Sequence, residues 1–378
     1  MKLDILLVPF LTVLFSCQNF SKTSPERSGS EQVGVQTIAA GNGSMRNLKA
    51  YLIDLGPYIF DKDKFNDVEN EAILIKEIHG LAVESANVKH DPAMMAKDPT
   101  VKFVSGEFAE ELLQADKNFR GGWKDYSRSQ LMKVTSYCIE CHTRVRQGPE
   151  FQTDTKLSYV SNLSPRNQIE LHIAFREFDK AYALSLSSLR SESTFIQKDS
   201  DIYAVARLGL LVAVRFQNNI DKAKLLLSTI DKNKSAPAYL KLDAKRWKVS
   251  VNRWSPTTRL NTLVEIRRLK RLRLTEIEDM RIIAALLPLL GQDLSDEELG
   301  EGLFLAGESY ELLDAISALS LQDNYYEACV RQVPHTTWGK KCFSNLENSV
   351  KTSYTGTANL GLPVDVKKKL DTLKKKLE

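Results

Sequence analysis

Residues that break helices are scarce in this sequence of 378 residues, which contains only 18 glycines and 12 prolines. Because strong helix formers are abundant and no alternating strand pattern occurs, the sequence predicts an all-α fold. The net charge of +4 is small for this length, so composition gives no support to nucleic-acid binding. No Ser/His/Asp set, phosphate-binding loop or paired-carboxylate site stands out, and we do not predict an enzyme.

An apolar run from Ile5 to Phe15 follows Lys2 and is too short to serve as a permanent membrane span. Such a run is typical of a secretory signal. It ends in Leu-Phe-Ser-Cys at 14–17, which resembles a bacterial lipobox with Cys17 as the lipidated residue. The alternative is a plain signal peptide in which Cys17 is incidental. We assign residues 1–16 to the signal peptide.

The polar segment 17–43 has no apolar period and is interpreted as a flexible tether. These features together predict an exported protein, lipid-anchored in the bacterial envelope and facing the periplasm. Gln18 after Cys17 favours the outer membrane, because an aspartate at that position is the familiar signal for retention in the inner membrane.

The chain has only five cysteines, and export matters to their chemistry because disulfides persist outside the cytoplasm. Cys17 is the lipidation candidate, and two more belong to the run Cys-Ile-Glu-Cys-His at 138–142. Cys329 and Cys342 remain, and they could form a disulfide that leaves no thiol unassigned. The alternative is that both are buried and reduced.

The run at 138–142 is a CxxCH motif, the attachment signal of a single covalent haem c. On a helix, Cys138, Cys141 and His142 lie on one face, so that two thioethers can hold the macrocycle while the imidazole of His142 binds the iron. A zinc half-site would need further Cys or His residues at ligand spacing, and a thiol–disulfide CxxC would be expected next to a βαβ unit. The sequence has neither feature.

Residues 44–150 contain four amphipathic segments that we interpret as an antiparallel four-helix bundle around the haem. The last segment contains the CxxCH motif. This domain resembles the cytochrome c-prime type four-helix cytochromes, which carry one CxxCH on their last helix. Arg146 matches the family's arginine four residues after the haem histidine, and Met45 matches the methionine that the low-spin branch uses as its sixth ligand.

Three alternatives are open for the sixth position on the iron. Met45 could be the axial thioether, or simply a methionine that fills the end of the bundle. His79 is its main rival, since it lies near Ile75 and Ala82 on an apolar seam, and His90 in the following loop is a weaker one. A vacant sixth position would create a site for nitric oxide or carbon monoxide.

Residues 164–362 are predicted to form tetratricopeptide-like helical repeats, an α-solenoid. The clearer of two signature stretches places Ala306 and Gly307 on one helix and Tyr326 on its partner. Such repeats usually bind a protein partner, although they could instead only cover and position the haem domain. The basic segment 363–378 is predicted to be an exposed amphipathic tail.

The sequence therefore predicts a monohaem cytochrome c lipoprotein for extracytoplasmic electron transfer, with helical repeats that dock a redox partner protein. One alternative is a five-coordinate cytochrome that binds or senses nitric oxide or carbon monoxide. The other is an envelope scaffold built on the repeats, in which the haem domain is accessory.

Overall fold

The structure is a computed structural model that describes residues 35–88, 99–145, 159–191, 199–255, 260–313, 321–354, 362 and 364–378. The regular structure in this part of the chain is entirely helical, as predicted, and no strand occurs in it. None of the helices within these residues is both long and apolar enough to cross a lipid bilayer.

The first part of the fold consists of four long helices and one short one. They are α1 (Val35–Ile59), α2 (Lys62–Asn66), α3 (Glu71–Ala86), α4 (Pro99–Arg120) and α5 (Lys124–Val145). Helix α1 packs against α3, α3 against α4, α4 against α5, and α5 again against α1, so the four long helices enclose one core. Each contributes buried side chains at helical spacing, among them Leu55 of α1, Ile78 of α3, Leu112 of α4 and Leu131 of α5.

One helix start differs from the sequence prediction, and another follows a simple sequence preference. Helix α1 begins at Val35, so residues 35–43 of the predicted tether are helical although they include two glycines. Helix α4 begins at Pro99. Proline suits the first position of a helix because its missing N–H has no partner there, and the Pro99 boundary follows from this preference.

The second part of the fold is a series of helices that pack mainly against their neighbours in sequence. They are α6 (Pro165–Ala174), α7 (Phe178–Arg190), α8 (Asp199–Leu211), α9 (Ile220–Lys232), α10 (Ala238–Asn252), α11 (Leu263–Arg271), α12 (Glu276–Leu290), α13 (Asp296–Leu313), α14 (Gln322–Gln332), α15 (Thr337–Tyr354) and α16 (Val364–Lys375). A short π-helix, Val212–Phe216, continues α8. Ser164 caps α6, and its hydroxyl accepts a hydrogen bond from the Asn167 backbone at 3.2 Å.

Glycines allow two of these helix pairs to approach closely. A Cβ added at Gly209 of α8 would lie 2.5 Å from Leu226 Cδ1 of α9, and one added at Gly307 of α13 would lie 2.6 Å from Tyr326 Cδ1 of α14. The second contact joins Gly307 and Tyr326, two residues of the predicted repeat signature. Each glycine therefore fixes the distance between the two helices of its pair.

A disulfide joins Cys329 of α14 to Cys342 of α15, with the two Cα atoms 6.2 Å apart. Both residues are fully buried. A cross-link that closes a loop this short stabilises the fold by roughly 2–3 kcal/mol in the chain-entropy account.

The basic C-terminal segment is packed rather than exposed, which corrects the prediction of an exposed tail. Helix α16 contacts α14 and α15 and buries Leu370 and Leu373. The ammonium group of Lys369 lies 2.8 Å from Glu327 of α14 and 3.7 Å from Glu107 of α4. The period of leucines predicted the amphipathic helix, but not the surface that covers its apolar face.

The two parts of the fold share an extensive contact. Helix α14 packs against α4, and α5 packs against α6. The side-chain amide of Asn167 on α6 donates to the carbonyl oxygen of Phe60 after α1, at 2.6 Å. The helices of the second part therefore lie directly against the helix that carries the CxxCH motif.

Candidate haem-binding site

Helix α5 positions the CxxCH motif. Leu131, Val134 and Cys138 recur at spacings of three and four, the first two are fully buried, and all three pack in the apolar core. The backbone of Cys141 and His142 lies within α5, but their side chains are outside the described part of the structure. Cys17, His90 and Arg146 also lie outside the described residues.

Cys138 carries a free, half-buried thiol that packs against the hydrophobic core. Burial raises the pKa of this thiol to about 11, partly offset by the nearby charge of Arg176. A cysteine that acts in thiol–disulfide exchange has a lowered pKa, because the thiolate is the nucleophile. The raised pKa of Cys138 argues against a redox CxxC and is what is expected of a buried cysteine that does not act as a nucleophile in thiol–disulfide exchange.

Arg176 reaches this region from an unusual turn at the end of α6. The N–H of Glu177 donates to the carbonyl oxygen of His172 at 2.8 Å, and the N–H of Arg176 donates to that of Ile173 at 2.9 Å. In this pattern the residue with left-handed backbone is commonly glycine, but here it is Arg176, with φ of 60°. The turn thus places a positive charge near Cys138 at some cost in backbone strain.

We predict that Cys138 alkylates slowly at neutral pH. In a Cys17→Ser, Cys141→Ser variant, the rate of reaction with iodoacetamide should rise about tenfold per pH unit up to about pH 11. The rate for an unperturbed cysteine would level off at about pH 8.5. Adding Arg176→Gln should move the dependence of this rate on pH to still higher pH, because the guanidinium of Arg176 favours the thiolate. A plateau near that of a free cysteine would contradict the buried environment described here.

Met45 lies at the level of the motif. Asp125 at the start of α5 pairs at 3.0 Å with Lys62, which begins α2 just after α1, and this sets the end of α1 near the start of α5. Cys138 lies 13 residues beyond Asp125, or about 20 Å along the helix axis. The same distance back along the antiparallel α1 reaches the turn that contains Met45, which is half-buried and packs against the core.

His79 does not project into the core. Its side chain is 56% exposed, and its Nδ1 lies 2.9 Å from a carboxylate oxygen of Asp116. The Lys124–Glu71 ion pair, at 2.7 Å, joins the start of α5 to the start of α3, and the two helices run in the same direction. Counting residues from this pair places His79 at the level of Met132, about 9 Å before Cys138 along the helix axis. The predicted apolar seam at His79 is wrong.

The side chain that lies opposite the motif on α3 is small. The core-facing positions of this helix are Leu74, Ile78 and Leu81, and the next is Ser85, which is buried. By the same count along α3 and α5, Ser85 is at the level of Cys138. Its hydroxyl donates to the carbonyl oxygen of Ala82 at 2.6 Å and so leaves no unsatisfied donor. A free core-facing thiol, a small side chain opposite it and a thioether at the same level fit a covalently bound haem.

The opposite face of the motif helix contacts the second part of the fold. Glu140 follows Cys138 by two residues, so it projects from α5 at about 200° to it. Its carboxylate accepts hydrogen bonds from Arg215 Nη2 at 2.8 Å and from the Tyr310 hydroxyl at 2.6 Å, and the Tyr325 hydroxyl donates to its other oxygen. The side chains of Glu140 and Arg215 are each 1% exposed. We call these four residues the Glu140 cluster.

Aromatic rings support the Glu140 cluster. The rings of Tyr310 and Tyr325 are stacked with their centroids 5.3 Å apart. The guanidinium of Arg215 lies 5.1 Å from the centroid of Tyr310 and 4.6 Å from that of Phe216. Such contacts favour a buried cation because the faces of aromatic rings are electronegative.

Sequence reasoning missed the Glu140 cluster. The one signal for it is Arg215, a single charge inside the apolar run Leu210–Phe216. A buried arginine requires an acidic or polar partner, so this position could have indicated a buried ion pair. Nothing in the sequence identified Glu140 as that partner.

Within the described residues, no group of three or more His, Cys, Asp or Glu side chains is placed to share a metal ion. Comparison with protein-family models, with curated proteins and with solved structures finds no match to this chain.

Proposed function

We propose that this protein is a monohaem c-type cytochrome, lipid-anchored at Cys17 in the bacterial envelope, that transfers electrons outside the cytoplasm. The observation that carries the proposal is Cys138, the first cysteine of the motif, whose free thiol packs against the hydrophobic core. Cys138 and Cys141 would hold the haem as thioethers, and His142 would bind its iron. When bound, haem c supplies a one-electron couple between ferric and ferrous iron.

The protein's own residues would set the environment of that couple. Leu131 and Val134 are fully buried beside Cys138 and keep water from this side of the motif. Met45 is the proposed sixth ligand, and a thioether in this position favours ferrous iron and raises the reduction potential. The arrangement calls for no general acid or base, and we propose no catalytic residue.

The helical repeats are proposed to dock the redox partner protein. Helix α10 supports this role, because Tyr239, Leu242 and Val249 are exposed apolar side chains on one of its faces, with Lys245 and Arg246 between them. Apolar side chains grouped on a surface are typical of protein-binding sites.

The proposal is tested by absorption spectra of the ferric and ferrous protein matured with a haem-ligation system. We expect one covalent haem per chain, a low-spin spectrum, and a methionine-to-iron charge-transfer band that disappears in Met45→Ala. Met132→Ala and His79→Ala are matched controls. Met132 is partly buried on α5 and His79 is exposed on α3, and neither substitution should change the band.

Other outcomes separate the alternatives. A high-spin spectrum that shifts when carbon monoxide is added would replace electron transfer by gas binding. Absence of covalent haem, in cells that mature other c-type cytochromes, would rule out the proposed function and leave a scaffold built on the helical repeats.

A further inference from the structure

The second part of the fold contacts the motif helix at a buried polar site. The three donors to Glu140 come from three separate elements: Arg215 from the π-helix after α8, Tyr310 from near the end of α13, and Tyr325 from the start of α14. All three therefore lie at or near the ends of helices, along one edge of the repeats. Helix α5 is the segment that this edge binds.

Burying an ion pair is a poor way to stabilise a contact. The desolvation of both charges offsets most of their attraction, and apolar residues of similar size often serve as well or better. An ion pair with fixed hydrogen bonds does define one register and one orientation, which apolar packing does less strictly. With three donors to one carboxylate, a shift of α5 by a single residue would break every hydrogen bond to Glu140.

Two further contacts hold the same side of the four long helices. The amide of Asn324 on α14 donates to the hydroxyl of Tyr137, one turn before Glu140, at 3.0 Å. Lys369 of α16 lies between Glu107 of α4 and Glu327 of α14. The repeats thus hold both α4 and α5, but the Glu140 cluster is the contact that lies within the motif itself.

We propose that the repeats bind the haem-binding helix of their own chain, and that Arg215, Tyr310 and Tyr325 are positioning residues that fix the motif through Glu140. This inference rests on the proposed function for its consequences at the haem, although the binding of α5 by the repeats does not require haem. The edge that binds α5 is distinct from the face of α10 that exposes Tyr239, Leu242 and Val249, so one solenoid serves the haem helix at one place and a partner protein at another.

The test compares the full-length wild-type protein with Glu140→Gln, which preserves shape and removes the charge. Arg267→Gln is the control, because Arg267 forms a two-bond ion pair with Glu301 between α11 and α13, away from the motif. The first measurement is hydrogen exchange of the backbone amides of residues 134–145. We expect exchange at least tenfold faster in Glu140→Gln and unchanged in Arg267→Gln.

The second measurement is made on the haem-loaded protein. Glu140→Gln should weaken the methionine-to-iron charge-transfer band and shift the midpoint potential, whereas Arg267→Gln should leave both as in the wild type. Tyr325→Phe removes one donor and should give a smaller change of the same kind, which keeps the test available if Glu140→Gln folds poorly.

The two proposals fail separately. If the protein carries no haem but the exchange result holds, the repeats bind α5 and the proposed function is wrong. If exchange, charge-transfer band and potential in Glu140→Gln all match those of the wild type, the cluster does not position the motif and this inference is overturned.

Discussion

Replacing Arg215 by methionine is expected to lower the free energy of unfolding by about 3–5 kcal/mol, the usual cost of removing one partner from a buried ion pair. The substitution leaves the carboxylate of Glu140 buried with two tyrosine hydroxyls as donors and no compensating charge. It also removes the contacts of the guanidinium with the rings of Phe216 and Tyr310. Urea unfolding followed by circular dichroism, with the disulfide intact, measures the change.

A double-mutant cycle isolates the pair. Replacing Glu140 and Arg215 together by methionine removes both charges, so we expect the double variant to recover about 2 kcal/mol or more relative to Arg215→Met alone. Arg267→Met is the matched control, because Arg267 is 44% exposed and its ion pair should contribute less than about 1 kcal/mol. Equal decreases in the free energy of unfolding for Arg215→Met and Arg267→Met would show that the buried Glu140–Arg215 pair contributes no more to stability than an exposed ion pair.

Local sequence patterns were sufficient to predict helix α5 and the motif that it carries. Leu131, Val134 and Cys138 define a core face through their spacing alone, and the structure buries the two apolar residues. The Glu140 cluster could not be predicted in this way, because the partners of Glu140 lie 75, 170 and 185 residues further along the chain. Helical periodicity reports only on neighbours within a few turns.

His79 shows where periodicity misleads. Its distance from Ile75 and Ala82 fits an apolar face, but α3 carries apolar residues on more than half of its circumference. The structure turns Leu74, Ile78 and Leu81 inward, so His79, next to Ile78, faces Asp116 and solvent. The choice between two adjacent apolar faces depends on which helices pack against α3, and the local sequence does not contain that information.

Substitution of Gly307 by alanine is expected to destabilise the protein by about 2–3 kcal/mol, the range for forcing extra volume into a packed core. The added methyl group would lie 2.6 Å from Cδ1 of Tyr326, closer than carbon atoms can approach. The ring cannot easily move, because its buried hydroxyl donates to Glu311 at 3.0 Å and accepts from Asn345 at 3.1 Å. Helices α13 and α14 must therefore separate, which also disturbs Tyr310 and Tyr325 on the same two helices.

Gly106 supplies the control, since it lies inside α4, is exposed, and has open space where a Cβ would be added. Gly106→Ala should raise the free energy of unfolding by about 0.5–1 kcal/mol, because alanine loses less backbone freedom than glycine when a helix forms. If the changes in the free energy of unfolding, measured with urea, have opposite signs for the two substitutions, glycine is required at position 307 by its contact with Tyr326 rather than by helix propensity. If Gly307→Ala were as stabilising as Gly106→Ala, the close approach of α13 and α14 would be wrong, and with it the positions of two of the three donors to Glu140.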